Sequence, residues 1–343
     1  MSGSRQLDES IVYAKIHPSI GVARVGNSTK QDGYYIGPQV VEPAPKPPGA
    51  YRDSTGALKR EVAEFRIYGY DGEGRVVREL HIGEGTEIEW TVELANHKAA
   101  WYNFELALDI PEAATAPPST YRNATIKGPD RKKLSITPGP RSVNCIDAEG
   151  KQYHFDDGEF MNIKVPLGEL RTDSHGRLRV FGGYGKSSSI DNKPPITFAN
   201  NDGWYDDTSD GPVSARVKLG GRELNVGPAW VVIAPPNYGP QQKSVRTMYD
   251  LMTDLAIQAG QLPAPAKPSF QKDLLPIFTA MCDLQWMNAG FAAGFGYGMP
   301  QYFLAPDYIR KLSMPGDTYA ELRRTVANAF RNPSDKDISM KLW

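Results

Sequence analysis

The chain has 343 residues, with 39 lysine and arginine side chains against 40 aspartate and glutamate side chains. This balance argues against a nucleic-acid-binding protein or a polybasic membrane-binding protein, and no apolar stretch is long enough to span a bilayer. The 33 glycines and 28 prolines favour short strands and turns in a chain long enough to bury a substantial core.

The first 240 residues show the patterns of β-strands. Two short apolar runs at the start, in "SIVYAKIHPSIGVARVGNS", are broken by Pro18 and Gly21. Alternation from Ile88 to Leu94 predicts a half-buried strand. Hairpins are predicted around "YDGEG", "DSHG" and "GG", since these sequences favour tight turns. A fully apolar strand is predicted at 230–233.

The remaining residues change to the helical period. "KSVRTMYDLMTDLAIQAG" predicts a helix with Ser244 as its N-cap and Gly260 just beyond its end. A second helix is predicted from near Phe270, and a third in "DTYAELRRTVANAFRN" with Asp317 as its cap. The fold class predicted is mainly β with α additions: antiparallel β-sandwich-like sheets in a domain at 1–240, followed by a helical segment at 241–343.

The termini and the cysteines indicate location and chemistry. The start lacks a secretory signal, which favours the cytoplasm, with secretion without a recognisable signal as the alternative. Two cysteines exclude a disulfide framework, and five scattered histidines give no metal-ligand spacing. The last residues, "KLW", are apolar. This ending suggests that the functional unit continues in a missing or separate C-terminal part.

The stretch "MCDLQWMNAGFAAGFGYGM" allows two interpretations. On one helix, Cys282 and Trp286 would share a face, close enough for a cross-linked amine-oxidising quinone with Asp273 or Asp283 as the base. The simpler interpretation makes both residues part of the apolar stripe of a core helix, because free cysteine is commonly buried. Spacing alone favours the core helix.

The segment "NDGWYDDTSDGP" also allows two interpretations. Trp204, Tyr205, Asp206 and Asp207 form an acidic, aromatic group suited to a substrate ammonium. A calcium loop would need regular ligand spacing that is absent here. The simpler alternative is a set of Asx-turns before a strand.

Two glycine-rich stretches, "GGYGKSSS" and "GFGYG", lack the strand–loop–helix context of nucleotide-binding loops. Both are interpreted as loops in which the backbone turns tightly or approaches another group closely. We therefore expect this chain to bind no NAD, no flavin and no metal.

Several segments resemble the family of cysteine tryptophylquinone amino-acid oxidases, typified by L-lysine ε-oxidase and glycine oxidase. They include "IHPSIGVARVGNS", "VPLGELRTDSHGRLRVFGGYG", "NNDGWYDDTSDGPVSARV", "AWVVIAPPNYGPQQKSVRTMYD" and "DLLPIFTAMCDLQWMNAGFAAGFG", in the family's order. The resemblance implies oxidative deamination of a primary amine or amino acid by O₂, giving an aldehyde or keto acid, ammonia and hydrogen peroxide. It also implies a maturation flavoprotein and a homo-oligomer.

The resemblance does not extend to the family's C-terminal region. In the family, the cysteine and the tryptophan that form the quinone lie in that region. Trp286 matches a tryptophan that stays unmodified in the family, and Cys282 has no family role. Three explanations follow, in order of preference. The chain is the N-terminal part of a split oxidase with a C-terminal partner chain, a non-catalytic β-rich binding or scaffold paralogue, or a protein that forms its quinone at Cys282. Trp204 and Tyr205 are then expected as substrate-lining walls, with Asp206 or Asp207 as the charge partner.

Overall fold

The computed structural model describes residues 8–40, 46–47, 49–83, 85–104, 120–197, 199–237 and 247–330. The chain divides into two compact units, residues 1–237 and 238–343. The first unit contains the β-strands, and the second contains a series of short helices. The mainly β fold with helices in its C-terminal part is confirmed.

The strands of the first unit are short, apart from two of eleven residues. In chain order they are β1 Tyr13–His17, β2 Ile20–Arg24, β3 Tyr34–Ile36, β4 Arg60–Tyr70, β5 Val76–Leu80, β6 Thr86–Glu93, β7 Pro140–Val143, β8 Glu159–Phe160, β9 Ile163–Lys164, β10 Gly168–Thr172, β11 Leu178–Gly182, β12 Ser187–Ser189, β13 Trp204–Asp206, β14 Ser209–Leu219, β15 Arg222–Gly227 and β16 Ala229–Ala234.

Twelve of these strands form one sheet within the described residues. Its main path runs β1-β15-β14-β16-β2-β4-β11-β10, with β3 and β5 also paired to β4, and with β6 joining β14 to β7. Strand β4 also pairs antiparallel with β1, and so has five partner strands in all. Two further two-stranded sheets, β8–β9 and β12–β13, lie outside this sheet.

The three predicted hairpins are confirmed by antiparallel pairing of β4 with β5, β10 with β11, and β14 with β15. At the last turn Gly220 and Gly221 have φ values of 58° and 82°. Two consecutive positive φ values are what a two-residue hairpin turn requires, and glycine adopts them without a steric penalty.

The sheet is mixed rather than purely antiparallel. β1 pairs parallel to β15, β2 parallel to β16, and β3 parallel to β4. The β1–β15 and β2–β16 pairs bring together strands about 200 residues apart in the chain. Turn sequences reveal only strands that follow each other in the chain, so no local pattern predicts these parallel pairs.

The core of this unit combines buried residues of the strands with buried residues of the connections, such as Leu134 and Phe155. The predicted alternation of β6 is confirmed, because Ile88, Trp90 and Val92 are buried while Glu87, Glu89 and Glu93 are not. The predicted fully apolar strand at 230–233 alternates instead: Val231 and Ile233 are buried, and Trp230 is 42% exposed.

Gly21 does not break a strand, as the sequence suggested, but lies inside β2. A Cβ atom at this position would lie 2.3 Å from Cζ of Phe65, whose side chain is fully buried. The glycine is therefore needed because β2 passes directly over an aromatic ring. The break between β1 and β2 falls at Pro18 and Ser19.

The second unit contains five α-helices in its described part, none of them long and apolar enough to cross a membrane. They are α1 Met248–Gln258, α2 Leu275–Asp283, α3 Ala289–Phe295, α4 Pro306–Ser313 and α5 Ala320–Ala329. A π-helical turn, Phe270–Leu274, leads into α2. Ring contacts of Phe278 with Phe270 and Phe303 lie in a small apolar core within this unit.

Two of the predicted helix caps are placed differently. Helix α1 begins after Thr247, whose side chain and that of Asp250 form a reciprocal capping box, whereas Ser244 lies outside the described residues. Gly260 is confirmed beyond the helix end, with a φ of 70°. Helix α5 begins after Tyr319, and Asp317 makes no side-chain cap.

Replacing Gly21 by alanine is expected to lower the free energy of unfolding by about 1–3 kcal/mol, because the added methyl group overlaps the ring of Phe65. Gly72→Ala is the matched control, since a Cβ there meets nothing within 4 Å, and its effect should stay within about 0.5 kcal/mol. Urea unfolding followed by tryptophan fluorescence measures both. Equal stabilities for the two variants would contradict the close approach.

Candidate functional site

A cavity of about 770 Å³ lies in the β-rich unit, bordered by the ribbon of β12 and β13. The ribbon pairs Ser187 with Asp206 and Ser189 with Trp204. Of the four predicted site residues, Trp204, Tyr205 and Asp206 line this cavity, and Asp207 does not. The structure therefore brings three of the four together around one space.

The cavity walls are largely aromatic. The ring of Tyr205 lies 5.3 Å from that of Phe160, and Trp101 meets Tyr102 edge to face at 5.4 Å. Six aromatic residues line the cavity: Trp101, Tyr102, Phe104, Phe160, Trp204 and Tyr205. A cavity of this size with apolar walls and a few polar groups is typical of a small-molecule site.

Asp206 is already engaged by protein groups. Its Oδ2 lies 2.5 Å from Nζ of Lys98. Its Oδ1 accepts hydrogen bonds from the hydroxyl and the amide N–H of Thr208 at 2.6 and 3.0 Å, and from the side-chain amide of Asn96 at 3.2 Å. The expected role of Asp206 as the free charge partner of an ammonium group therefore needs correction: Lys98 occupies that position.

Asp207 faces the glycine-rich loop at 182–186 and is 2% exposed. A Cβ on Gly183 would lie 2.4 Å from its Oδ2, and the backbone N–H groups of Tyr184 and Lys186 hydrogen-bond to its carboxylate. Burial raises the pKa of Asp207 despite these bonds. The close approach expected of "GGYGKSSS" is thus an approach of backbone to a buried carboxylate, and Asp207 supports this loop instead of lining the cavity.

The other two aspartates of this segment also bind protein groups. Asp202 Oδ1 accepts the N–H of Asn123 at 2.6 Å, and Asp210 Oδ2 accepts the indole N–H of Trp230 at 2.9 Å. No group of three or more metal-binding side chains occurs among the described residues. Asp202, Asp207 and Asp210 thus bind segments far away in the chain, whereas the Asx-turn contact of this segment is made by Asp206, whose Oδ1 accepts the N–H of Thr208.

Arg122 also lines the cavity, although no sequence pattern selects it. Its guanidinium donates to the carbonyl of Asn201 at 3.1 Å and to that of Lys98 at 3.4 Å. Its Nε is buried and has no hydrogen-bond partner. Burial lowers the pKa of Arg122 while Asp206 and Asp202 oppose this effect, and the group stays protonated because arginine is so basic.

The sequence signal for the remaining walls lies just after β6. The alternation that marks this strand stops at Leu94, and the aromatic run "WYNF" at 101–104 follows within a few residues. Aromatic residues in a connection, rather than in a strand, indicate a surface that contacts something else. This run identifies four of the lining residues, three of them aromatic, whereas Arg122 and Phe160 show no such signal.

Cys282 and Trp286 do not share a helix. Helix α2 ends at Asp283, and Trp286 closes a 3₁₀ turn, Leu284–Trp286. Cys282 is fully buried, whereas Trp286 is 75% exposed. The i, i+4 geometry behind the local quinone hypothesis is therefore absent, because the backbone tightens between the two residues. The apolar-stripe interpretation holds for Cys282 and is wrong for Trp286.

The fold and the cavity define a β-rich protein unit with a site sized for a small organic molecule. The chain belongs to the L-lysine ε-oxidase N-terminal family, whose model matches residues 17–233. It is similar to L-lysine 6-oxidase from Marinomonas mediterranea, with 30% identity over 323 aligned residues, covering 82% of this chain and 44% of that protein.

Solved structures of that oxidase are similar to most of this chain. The ε-lysine oxidase from Marinomonas mediterranea matches with a TM-score of 0.66 and 26% identity over 95% of this chain and 52% of that chain. The Schiff base intermediate of the same oxidase with L-Lys matches with a TM-score of 0.66 and 25% identity, covering 94% and 51%. This chain therefore spans about half the length of these amine oxidases.

A thiol titration tests the placement of the cysteines. Cys145 is exposed and Cys282 is buried, and burial also raises the pKa of Cys282 and so withdraws its reactive thiolate. One thiol is expected to react in the folded protein and two after unfolding in denaturant. The Cys145→Ser variant should show no reaction until it unfolds. A single reactive thiol in the unfolded wild-type chain would support a cross-link at Cys282.

The stability of the Asp207→Asn variant tests the buried carboxylate. Because the folded state raises the pKa of Asp207, ionisation opposes folding. The stability that the neutral carboxyl group of Asp207 contributes is fully present below the unfolded-state pKa. It is lost as the pH rises through the folded-state pKa. The variant should therefore gain stability relative to the wild type as the pH rises above about 4, the pKa of an unperturbed aspartate.

Urea unfolding at several pH values measures this gain. Asp207→Ala is the control, because it removes the charge and also the acceptor of the N–H groups of Tyr184 and Lys186. It should be less stable than Asp207→Asn at every pH. A stability difference between Asp207→Asn and the wild type that does not change with pH would contradict the raised pKa.

Proposed function

We propose that this chain is the substrate-binding part of an oxidase that deaminates a primary amine or amino acid with O₂, releasing an aldehyde or keto acid, ammonia and hydrogen peroxide. The observation that carries the proposal is the aromatic cavity, whose described lining residues all lie within the 17–233 match to the oxidase family. The named relative, L-lysine 6-oxidase, acts on an amine-bearing substrate.

In this proposal the cavity binds and orients the substrate. Trp204 and Tyr205 contact its apolar part, and Phe160 supports the ring of Tyr205 at 5.3 Å. These rings exclude water around the substrate and lower its freedom to rotate, which favours one reacting orientation. The polar groups at Lys98, Asp206 and Arg122 select the charged end of the substrate.

The proposed cofactor is cysteine tryptophylquinone, which supplies an electrophilic carbonyl for amine oxidation. Neither described cysteine suits it: Cys282 is buried on α2 apart from the exposed Trp286, and Cys145 Sγ lies 3.7 Å from the hydroxyl of Tyr153. We therefore assign the quinone to a polypeptide region outside the described residues, in the half of the family's length that this chain does not span. A maturation flavoprotein and a homo-oligomer are further parts of this proposal.

The unsuitable position of the two cysteines favours a second candidate function. A chain whose described cysteines and tryptophans do not form a quinone pair suits a non-catalytic binding or scaffold paralogue, in which the cavity holds a ligand without oxidising it. In the oxidase candidate the cavity lies beside a quinone, whereas in the scaffold candidate there is no quinone.

The test joins this chain to the C-terminal half of L-lysine 6-oxidase, with co-expression of the maturation flavoprotein. Peroxide release is then measured with a panel of amines and amino acids. The joined protein is expected to absorb visible light and release peroxide, while the chain alone keeps its encoded mass and stays colourless. In the active protein Trp204→Ala should lower kcat/KM by about tenfold or more, because it removes a cavity wall.

Trp230→Ala is the control for this substitution, since Trp230 belongs to the same unit, is 42% exposed and lies outside the cavity. It should leave kcat/KM within about twofold of the parent value. A joined protein that shows quinone absorption but oxidises none of the amines would favour the scaffold candidate.

A further inference from the structure

The charged side chains of the cavity are not equally available. Lys98 and Arg122 are cationic, and Asp206 is the carboxylate among the described lining residues. Lys98 and Asp206 neutralise each other across 2.5 Å. Both oxygens of Asp206 already accept hydrogen bonds or an ion pair from protein groups. Among the described lining residues, Arg122 is therefore the charged group without an ion-pair partner.

The guanidinium of Arg122 is held in place by neutral acceptors. Its two terminal nitrogens donate to the backbone carbonyls of Asn201 and Lys98, and its Nε has no partner. Asp202 is the nearby carboxylate outside the lining, and it accepts the N–H of Asn123 at 2.6 Å. A partly exposed cation with an unsatisfied Nε donor favours an anionic ligand, because a carboxylate supplies both charge and acceptors.

The walls define the rest of the ligand. Leu134 and Ile136 join the six aromatic residues around the cavity, so its surface is mainly apolar. Aromatic faces also attract ammonium groups, but an ammonium in this cavity would meet Lys98 and Arg122 and would find the carboxylate of Asp206 occupied. A ligand with an apolar body and one carboxylate matches the walls and the charges together.

We propose that this cavity is a carboxylate-binding site, in which Arg122 binds the carboxylate of a ligand whose aliphatic or aromatic body lies against the rings of Trp204 and Tyr205. The assignment of that ligand as the amine substrate rests on the proposed function, and in that case the cavity recognises the carboxylate of an amino acid. The binding itself involves only the β-rich unit and requires no quinone.

The test measures binding of three probes to the full chain by isothermal titration calorimetry: hexanoate, hexylamine and 2-aminohexanoate. They share an aliphatic body and differ in charge. Hexanoate and 2-aminohexanoate are expected to bind, with hexylamine at least about tenfold weaker, because the free charge of the cavity is positive. Hexylamine binding equal to or tighter than hexanoate binding would overturn the proposal, and so would the absence of hexanoate binding.

Two arginine substitutions test which residue binds the carboxylate of hexanoate. Arg122→Gln should weaken hexanoate at least about tenfold. Arg216→Gln should leave the binding unchanged, since Arg216 is an exposed arginine of β14 outside the cavity, close to Glu89 and Glu223. Equal hexanoate affinities in these two variants would show that Arg122 does not bind the carboxylate.

Two further variants remain informative if Arg122→Gln fails to fold. Asp206→Asn removes the negative charge beside Lys98 and should strengthen hexanoate binding, whereas Lys98→Gln frees Asp206 and should strengthen hexylamine binding. Unchanged selectivity in both variants would contradict the charge arrangement. Peroxide release without hexanoate binding would overturn the carboxylate site alone, and hexanoate binding without any peroxide would overturn the oxidase alone.

Discussion

The pairing of buried charges on β4 is the constraint on which the β-rich unit depends. Arg60 and Glu64 are buried on this central strand, and an unpaired buried charge costs several kcal/mol. Arg60 Nη2 lies 2.9 Å from Glu169 on β10, and Glu64 accepts a hydrogen bond from Arg179 on β11 at 3.0 Å. Because β10 and β11 extend the sheet on the same side of β4, the charge pairs and the strand order specify each other.

The cavity is built from connections that this sheet holds in place. Buried asparagines link these connections through the backbone. The side-chain amide of Asn96 donates to the carbonyls of Asp206 and Thr208, and Asn123 donates to the carbonyl of Ala99 and accepts the N–H of Gly203. An amide that offers both donors and acceptors can satisfy two chain segments at once. These bonds connect the ribbon of β12 and β13 to the segments that carry Lys98 and Arg122. The mainly apolar cavity therefore has charged groups at fixed positions.

Local sequence patterns predicted the features that depend on neighbouring residues. The three hairpins and the alternation of β6 follow from turn chemistry and from the two-residue period, and the structure has them all. Trp204, Tyr205 and Asp206 were selected because aromatic and acidic residues are concentrated there beyond the needs of a turn. All three line the cavity, and their contact with a substrate stays a prediction. Asp207 was assigned wrongly to the cavity, because its carboxylate is buried against the backbone of the loop at 182–186, and only the fold shows that this loop lies beside it.

The sequence by itself determined the mainly β class, the change to helices near residue 240 and one wall of the cavity, because composition and periodicity act over a few residues. Tertiary structure decided the parallel pairs, the partner of Asp206, the place of Arg122 and the separation of Cys282 from Trp286. Each of these depends on segments far apart in the chain or on where a helix tightens and ends. Charge pairing and burial are properties of assembled surfaces, and no local pattern specifies which distant residue completes them.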